Sequence, residues 1–474
     1  MKIYKNFLLS GSYQLLIIIL PIITAPYISR TLGVEGVGIY TFTGSVVQYF
    51  VMFATLGTAT YGNREIAYNQ KNKKSRSKIF WGINFLSWIT ATISLIAFGI
   101  FTLLNNKYQL IYFWQGFLIL ANMFDISWYF MGMEKFKVTV TRNFIFKIIS
   151  VVCIFTFVRN SNNLSIYVAI MSLGTLIGNL SLWPYLKKEI EKPHLEDLNL
   201  KRHLKFTLVL FLPTIAVQIY LVANKTMIGV LDSIVDAGIF YQADMVIKMA
   251  LSLIGAIGVV MLPRVSSMHS EGDIEGIQKT IIKCFNIVTG ISVAMFFGIS
   301  AIAIKFGPFF FGNSFELVGL IMMIESPIII FISWSSVLGT QYLLPTNRMK
   351  PFTISVTLGA ILNIALNLIL IPYYGVIGAT IATVFAEFSV TAYQYYSVRK
   401  EFPLKTLVSG TWKYFVSGLL MFVVVFSLNQ KNIMTVSQLL TQVIAGGIIY
   451  LFSNILLKSD LWKMAKQIVL KKRM

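Results

Sequence analysis

The sequence predicts an all-α, polytopic membrane protein with about fourteen spanning helices by the ~20-residue criterion. Composition and clustering carry that expectation. Of the 474 residues, 56% are hydrophobic and only 12% charged, whereas soluble domains carry roughly 25% charged residues. Mean hydropathy is +0.73. The apolar residues also run together: 79–104 and 409–428 each hold a long stretch with few or no charges. Such a stretch crosses a ~30 Å hydrocarbon core as a helix, with every backbone group satisfied inside the segment.

In order, the spans read 7–29, 37–60, 79–104, 108–131, 139–158, 164–186, 206–230, 238–262, 280–304, 317–344, 353–371, 376–398, 409–428 and 434–457. The N-terminal apolar run is too long for a signal peptide, and no small-residue cleavage site follows it, so it is expected to be a retained first helix. An even number of spans puts both termini on one side. Charge identifies that side. The net charge is +21, and Arg30, Lys107, Arg159, Lys305 and Lys431 are the basic residues assigned to the opposite face, with Lys225 and Lys248 inside spans. The remaining 33 of 40 lysines and arginines fall on the face of Met1, which is the cytoplasmic face by the positive-inside rule. The basic balance therefore needs no nucleic acid to explain it.

Two cysteines, Cys153 and Cys284, lie in apolar runs and imply no disulfide framework. The histidines His194, His203 and His269 fall in expected loops, and no Cys/His spacing suggests a metal. No P-loop, nucleophile elbow or catalytic carboxylate pair appears, and no cofactor is implied. Loops on the outer face are short, so no extramembrane catalytic domain is expected and the chain does not read as an enzyme.

A repeat organises the chain. RTLGVEGVGIYTF between the first two spans resembles VLDSIVDAGIFYQA between spans seven and eight; Gly38 and Gly238 are 200 residues apart, as are Arg64 and Arg264. Both halves are expected to carry a proline-broken first helix, broken at Pro21 and Pro26 in one and at Pro213 in the other. The expected organisation is an N-lobe at 1–186, a cytoplasmic linker at 187–205, a C-lobe at 206–398, and two further helices with a basic tail at 399–474. Parallel six-helix repeats of this kind suit a transporter with its site between lobes and alternating access.

Charged residues inside spans are costly and mark candidate sites. They are Asp125, Arg142, Lys147, Lys225, Asp244, Lys248, Glu325 and Glu387. Lys225 and Asp244 have matching depths, and Asp244 and Lys248 are four apart on one helix face, so the three could form a cluster. Its role is either substrate contact or an ion pair between helices. Asp125 and Arg142 either tie helix 4 to helix 5 or touch substrate, and Arg142 and Lys147 can also snorkel. Glu325 and Glu387 have no sequence-near cation and are candidates for ion coupling. Asn363 and Asn367, one turn apart, suggest interhelical hydrogen bonds. Trp128, Tyr129, Tyr373 and Tyr374 suggest an aromatic belt.

The segments LILANMFDISWYFMGMEKFK with VTVTRNFIFKI, LGTATYGNREIA, NKTMIG, VVMLPRVSS and PYYGVIGATIATV resemble the signature of bacterial polysaccharide transporters, the Wzx-type oligosaccharide flippases. They are related to multidrug extruders and the lipid II flippase. The resemblance runs from span 1 to span 12. It implies two six-helix lobes, in some members with two extra C-terminal helices. It also implies that an undecaprenyl-diphosphate-linked oligosaccharide moves from the cytoplasmic to the outer leaflet of the bacterial cell membrane. A proton or sodium ion and polysaccharide polymerase machinery would be partners. By motif position the basic residues matching such a site are Arg30, Arg64, Arg142, Lys225 and Arg264; Lys147 and Lys248 join them as in-span cations. Asn224 departs from the family pattern, where an acid often precedes the lysine, and Asp244 is the candidate replacement. The alternative is an ion-coupled organic-cation antiporter of the same architecture, which would favour a more acidic cavity than this sequence offers.

Overall fold

The computed structural model describes residues 2–187, 189–192, 198–431, 433–463 and 466. Among them the chain is helical and holds no strand. Ten helices are long and apolar enough to cross a membrane, or eleven if Asn313–Glu325 and Ile328–Leu343, bent by 47°, form one span. The expected fourteen follows only when each of two fifty-residue helical stretches is divided at its kink and the helix beginning at Leu200 is added. The kinks let the sequence turn without a loop.

Helix α1 (Lys2–Thr55) runs through Pro21 and Pro26 and breaks at Gly33, where φ is 71° and ψ 177°. A span tolerates proline where neighbouring groups re-satisfy the freed backbone, so the break falls instead at the residue whose missing Cβ permits positive φ. Gly38 and Gly238 are not turn residues either. They lie buried in the helices that follow the turns. The 200-residue offset survives in the helix starts, one following Gly33 and the other beginning at Ile234.

Consecutive left-handed residues, Leu56 (φ 42°) and Gly57 (φ 75°), end α1. A short amphipathic helix, α2 (Thr58–Tyr68), carries Arg64. Then come α3 (Lys73–Leu104), α4 (Gln109–Met123), α5 (Ser127–Gly132), α6 (Phe136–Phe157) and α7 (Leu164–Leu180). The expected fourth span is interrupted between α4 and α5, where the Asp125 carboxylate accepts the Ser127 N–H at 2.9 Å. Trp128 and Tyr129, expected at the membrane interface, are core residues 4% and 0% exposed. They pack with Tyr61, Phe80 and Phe130 in one aromatic cluster. Tyr373 and Tyr374, at 80% and 62% exposure, do match an outward belt.

Helix α8 (Leu200–Leu231) contains His203, which is buried rather than in a loop. Its ring shares a 3.1 Å hydrogen bond with the Tyr61 hydroxyl. His269 likewise sits in the last turn of α9 (Ile234–Ser270); His194 lies outside the described residues. The expected polar segment at 263–279 is mostly helix: α10 (Ile274–Phe311) starts only four residues after α9, with Asp273 accepting the Gly276 N–H at 2.8 Å. Small residues let α10 meet α11 (Glu316–Glu325) closely, since a Cβ on Gly319 would lie 2.5 Å from the Ala303 carbonyl oxygen.

Pro327 follows Ser326 and starts α12 (Ile328–Ser335), which runs into a π-helix at Ser336–Leu343. Helix α13 (Met349–Val398) kinks at Gly375, φ 53° and ψ −137°, three residues after Pro372. Asp232 lies against that kink: a Cβ on Gly375 would come within 2.5 Å of Asp232 Oδ2, and the carboxylate accepts a hydrogen bond from the Val376 backbone. Asn367 Nδ2 donates to Asn363 Oδ1 at 3.1 Å, so this bond lies within one helix. The short α14 (Leu404–Leu407), α15 (Trp412–Lys431) and α16 (Val436–Leu456) complete the chain.

Packing divides the chain into two compact units, Met1–Gly229 and Val230–Met474. The sequence reading placed its division earlier, at 187–205. Helix α8 belongs by contact with the first unit: Thr226 Oγ1 donates to Ser45 Oγ at 2.9 Å, and a Cβ on Gly229 would collide with Phe42.

Candidate functional site

In the first unit two of the charged candidates, Arg142 and Lys147, meet at the α6–α7 pair. Arg142, Asn143, Lys147, Ser150, Gly174 and Thr175 line a cavity of about 240 Å³ together with Phe146 and Met171. Helical spacing puts Arg142, Phe146 and Ser150 on the side of α6 that meets α7, and Gly174 leaves room for Ser150, whose Oγ would be 2.7 Å from an added Cβ. Arg142 Nη1 donates to Asn179 Oδ1 at 2.8 Å. The amide of Asn179 in turn donates to the Ala121 carbonyl at 2.6 Å. Asn179 is 6% exposed. It thus anchors the guanidinium of α6 to both α7 and α4. A fixed guanidinium beside an ammonium, with hydroxyl and amide groups around them, is suited to a multiply charged phosphate.

Asn179 carries no charge and so is not marked by the cost that singles out in-span lysines, arginines and acids. Its signal was a polar amide inside the apolar run LIGNLSL. The structure also corrects the expected pairing of Asp125. Among the described residues Asp125 enters no ion pair and serves to cap the Ser127 turn, while Arg142 takes Asn179 as the partner given above.

In the second unit Lys248 Nζ and Asp244 Oδ2 are 2.7 Å apart, with Asp244 7% and Lys248 43% exposed at the side chain. Glu325 and Glu387 are both within electrostatic reach of Lys248. The two glutamates therefore do have a nearby cation, supplied by α9 and invisible in sequence order. Glu325 is fully buried at 0% exposure, at the end of α11 before the Ser326–Pro327 break. Glu387 comes from α13 and is half-buried. Two further buried amides in the second unit are Gln341, which accepts from the Cys284 thiol at 3.1 Å, and Gln394, which donates to Ser355 at 3.1 Å.

The other predicted cations are not among the residues that line the Arg142–Lys147 cavity. Lys225 is on α8 in the first unit, whereas Asp244 and Lys248 belong to the second. Arg30 is exposed on α1 just before its kink, and Arg264 is exposed on α9. Arg64, 43% exposed, is 3.5 Å from Glu65 and lies over the Tyr61 ring at 5.8 Å. A separate staple joins three polar segments: Arg76 donates to the Gln70 and Glu189 carbonyls at 2.6 and 2.7 Å, and Lys135 pairs with Glu189. Among the described residues no cluster of histidine, cysteine and acidic side chains could hold a metal.

A helical chain with this many apolar spans, two units and buried charge in both is a multi-pass membrane protein of transporter fold. It superposes on the lipid II flippase MurJ in its inward closed conformation with a TM-score of 0.75 at 16% identity, covering 96% of this chain and 99% of that one. It also superposes on an inward-facing multidrug resistance MATE family transporter, with a TM-score of 0.63 at 12% identity over 81% and 94% of the two chains. The sequence profile described as polysaccharide biosynthesis protein matches residues 3–269, more than half of the chain, so the protein belongs to that family. A relative from Escherichia coli K12, named "Putative O-antigen transporter", is 27% identical over 390 residues, 80% of this chain and 93% of its own.

Proposed function

We propose that this protein is a flippase that moves undecaprenyl-diphosphate-linked oligosaccharide units from the cytoplasmic to the outer leaflet during cell-surface polysaccharide synthesis. The observation that carries the reading is the Arg142–Lys147 pocket on α6 and α7, whose guanidinium is held in place by Asn179. Two cations with neutral donors around them match a diphosphate bearing a polar sugar. Family membership and the O-antigen name of the relative support the same substrate class. In this reading the lobes alternate access and both termini are cytoplasmic, as the one-sided lysines and arginines imply. Arg30, Arg64, Lys225 and Arg264 would guide the anionic headgroup along its path, and the polysaccharide polymerase machinery would receive it.

The charged group in the second unit is the proposed coupling element. A buried carboxyl beside a lysine and two further acids can exchange a proton or bind sodium as its surroundings change. Glu325 and Glu387 hold that role, with Asp244 and Lys248 as the ion pair that responds. The same group also favours the second reading, an ion-coupled cation antiporter of MATE-like fold.

The deciding experiment is translocation of a lipid-diphosphate oligosaccharide in vesicles containing only this protein. Sugar should reach the opposite face with wild type, and Arg142→Ala and Lys147→Ala should lose that activity while remaining folded. Export of organic cations with no movement of any glycan would replace the flippase reading by the antiporter. Glu325→Gln and Glu387→Gln should abolish dependence on an imposed proton or sodium gradient; unchanged dependence in both would remove them from the coupling role.

A further inference from the structure

Arg142 also reaches a second cavity. With Phe146 it lines a recess of about 450 Å³ formed by Lys137, Val138, Thr141, Ile145, Ser181 and Tyr185. At 100° per residue, Val138, Thr141 and Ile145 lie on one flank of the Arg142–Phe146 line, and Asn143, Lys147 and Ser150 lie on the other. The two cavities therefore adjoin along the α6–α7 contact, sharing Arg142 and Phe146, with one guanidinium between them.

The two flanks differ in character. Beyond the recess, the flank of Ile145 continues as Ile148 and Val152, which are 47%, 41% and 58% exposed. In a membrane-spanning helix such a strip faces acyl chains. The recess itself is at the start of α6, where Lys137 is exposed and Tyr185, 60% exposed, marks an interfacial level. A cation and three hydroxyls (Thr141, Ser181 and Tyr185) thus stand at the head of an aliphatic track.

We propose that this recess binds the phosphate group of a membrane-anchored lipid, with the headgroup on Lys137 and Arg142 and the chain along the Ile145–Val152 strip. Arg142 then serves as the point of transfer between the lipid-side recess and the polar cavity of Lys147. The proposal deepens the flippase reading and rests on it for the direction of transfer, though not for the binding.

The test uses the full chain in phosphatidylcholine vesicles containing a photoactivatable prenyl phosphate, with adducts mapped by peptide mass spectrometry. Labelling should fall on 137–145 and 181–185. Unlabelled undecaprenyl phosphate should compete, whereas inorganic phosphate and pyrophosphate at equal concentration should not. Competition by phosphatidylglycerol would also support a lipid-phosphate site and would identify phospholipid as its ordinary occupant. Lys137→Ala, an exposed change that leaves the fold intact, should weaken labelling about tenfold, the effect of losing one charge-assisted hydrogen bond. Labelling elsewhere, labelling indifferent to Lys137→Ala, or equal competition by inorganic phosphate would overturn the proposal. Sugar translocation is not part of this readout. Binding without translocation would refute the transport reading alone, and translocation with Lys137-independent labelling would refute the recess alone.

Discussion

The sharpest consequence of the first-unit geometry concerns Asn179, a neutral residue. Replacing it by leucine preserves volume and removes two hydrogen bonds, the 2.8 Å bond from Arg142 and the 2.6 Å bond to Ala121. A bond to a charged group contributes about 1.5–3 kcal/mol and a neutral one about 0.5–1.5, although polar pairs inside membranes average nearer to about 0.6. The expected loss of stability is therefore about 1–3 kcal/mol, which a purified transporter in detergent survives. The functional loss should be larger in proportion, because an unanchored guanidinium must be ordered again each time it meets a phosphate. Substrate affinity is expected to fall about tenfold to a hundredfold, with the maximal translocation rate changed less. Asn179→Asp supplies a stronger acceptor for Arg142 but neutralises its charge, and with no N–H to give it sets an oxygen against the Ala121 carbonyl, so it should weaken diphosphate binding and cost stability as well. The assay is translocation against substrate density in vesicles, paired with a thermal unfolding curve for each variant. Asn179→Leu with unchanged affinity would show that Arg142 is not held for phosphate recognition.

Three further outcomes follow from the same structure. Lys248→Ala and Asp244→Ala should each destabilise the second unit by about 2 kcal/mol, less than a fully buried pair because Lys248 keeps 43% exposure; the double variant should be less than additive, and strict additivity would deny the pair. Gly375→Ala forces a side chain into positive φ and to within 2.5 Å of Asp232 Oδ2, and should cost about 1–3 kcal/mol; an unchanged melting temperature would count against the kink. The His203 imidazole is pushed down to about 4 from the ordinary 6.5, first by burial and then by the charge of Arg202. The unfolded chain then takes up a proton below 6.5 that the folded chain refuses until about 4, so the contribution of His203 to stability should fall as pH drops through that window. His203→Gln should reduce that slope relative to wild type, as followed by melting temperature against pH; an identical slope would refute the assignment.

Much of this was legible in the order of residues. Span length and low charge determined an all-helical membrane chain, because a helix satisfies its own backbone and its length maps directly onto bilayer thickness. The 200-residue repeat was legible for the same local reason: it lies in short segments at helix starts. Arg142, Lys147, Asp244, Lys248, Glu325 and Glu387 could be singled out one by one, since a charge within an apolar run is costly wherever it points.

What these residues face was decided only by tertiary packing. Glu325 and Glu387 lie 77 or more positions from Lys248 in the sequence, and only the folding together of α9, α11 and α13 places them beside it. Asn179 looks unremarkable in its own helix and gains its role from Arg142, 37 residues away. Asp125 reads as a buried charge in need of a cation, yet a local N–H two residues on suffices for it. The turn in α1 is local instead: the helix keeps Pro21 and Pro26 within it and breaks at Gly33, the residue free to take positive φ. The sequence by itself thus determined the element type and the cost of each charge, which are one-dimensional properties of a chain in lipid. Partners and cavities depend on which surfaces meet, and that is settled only when helices distant in sequence pack together.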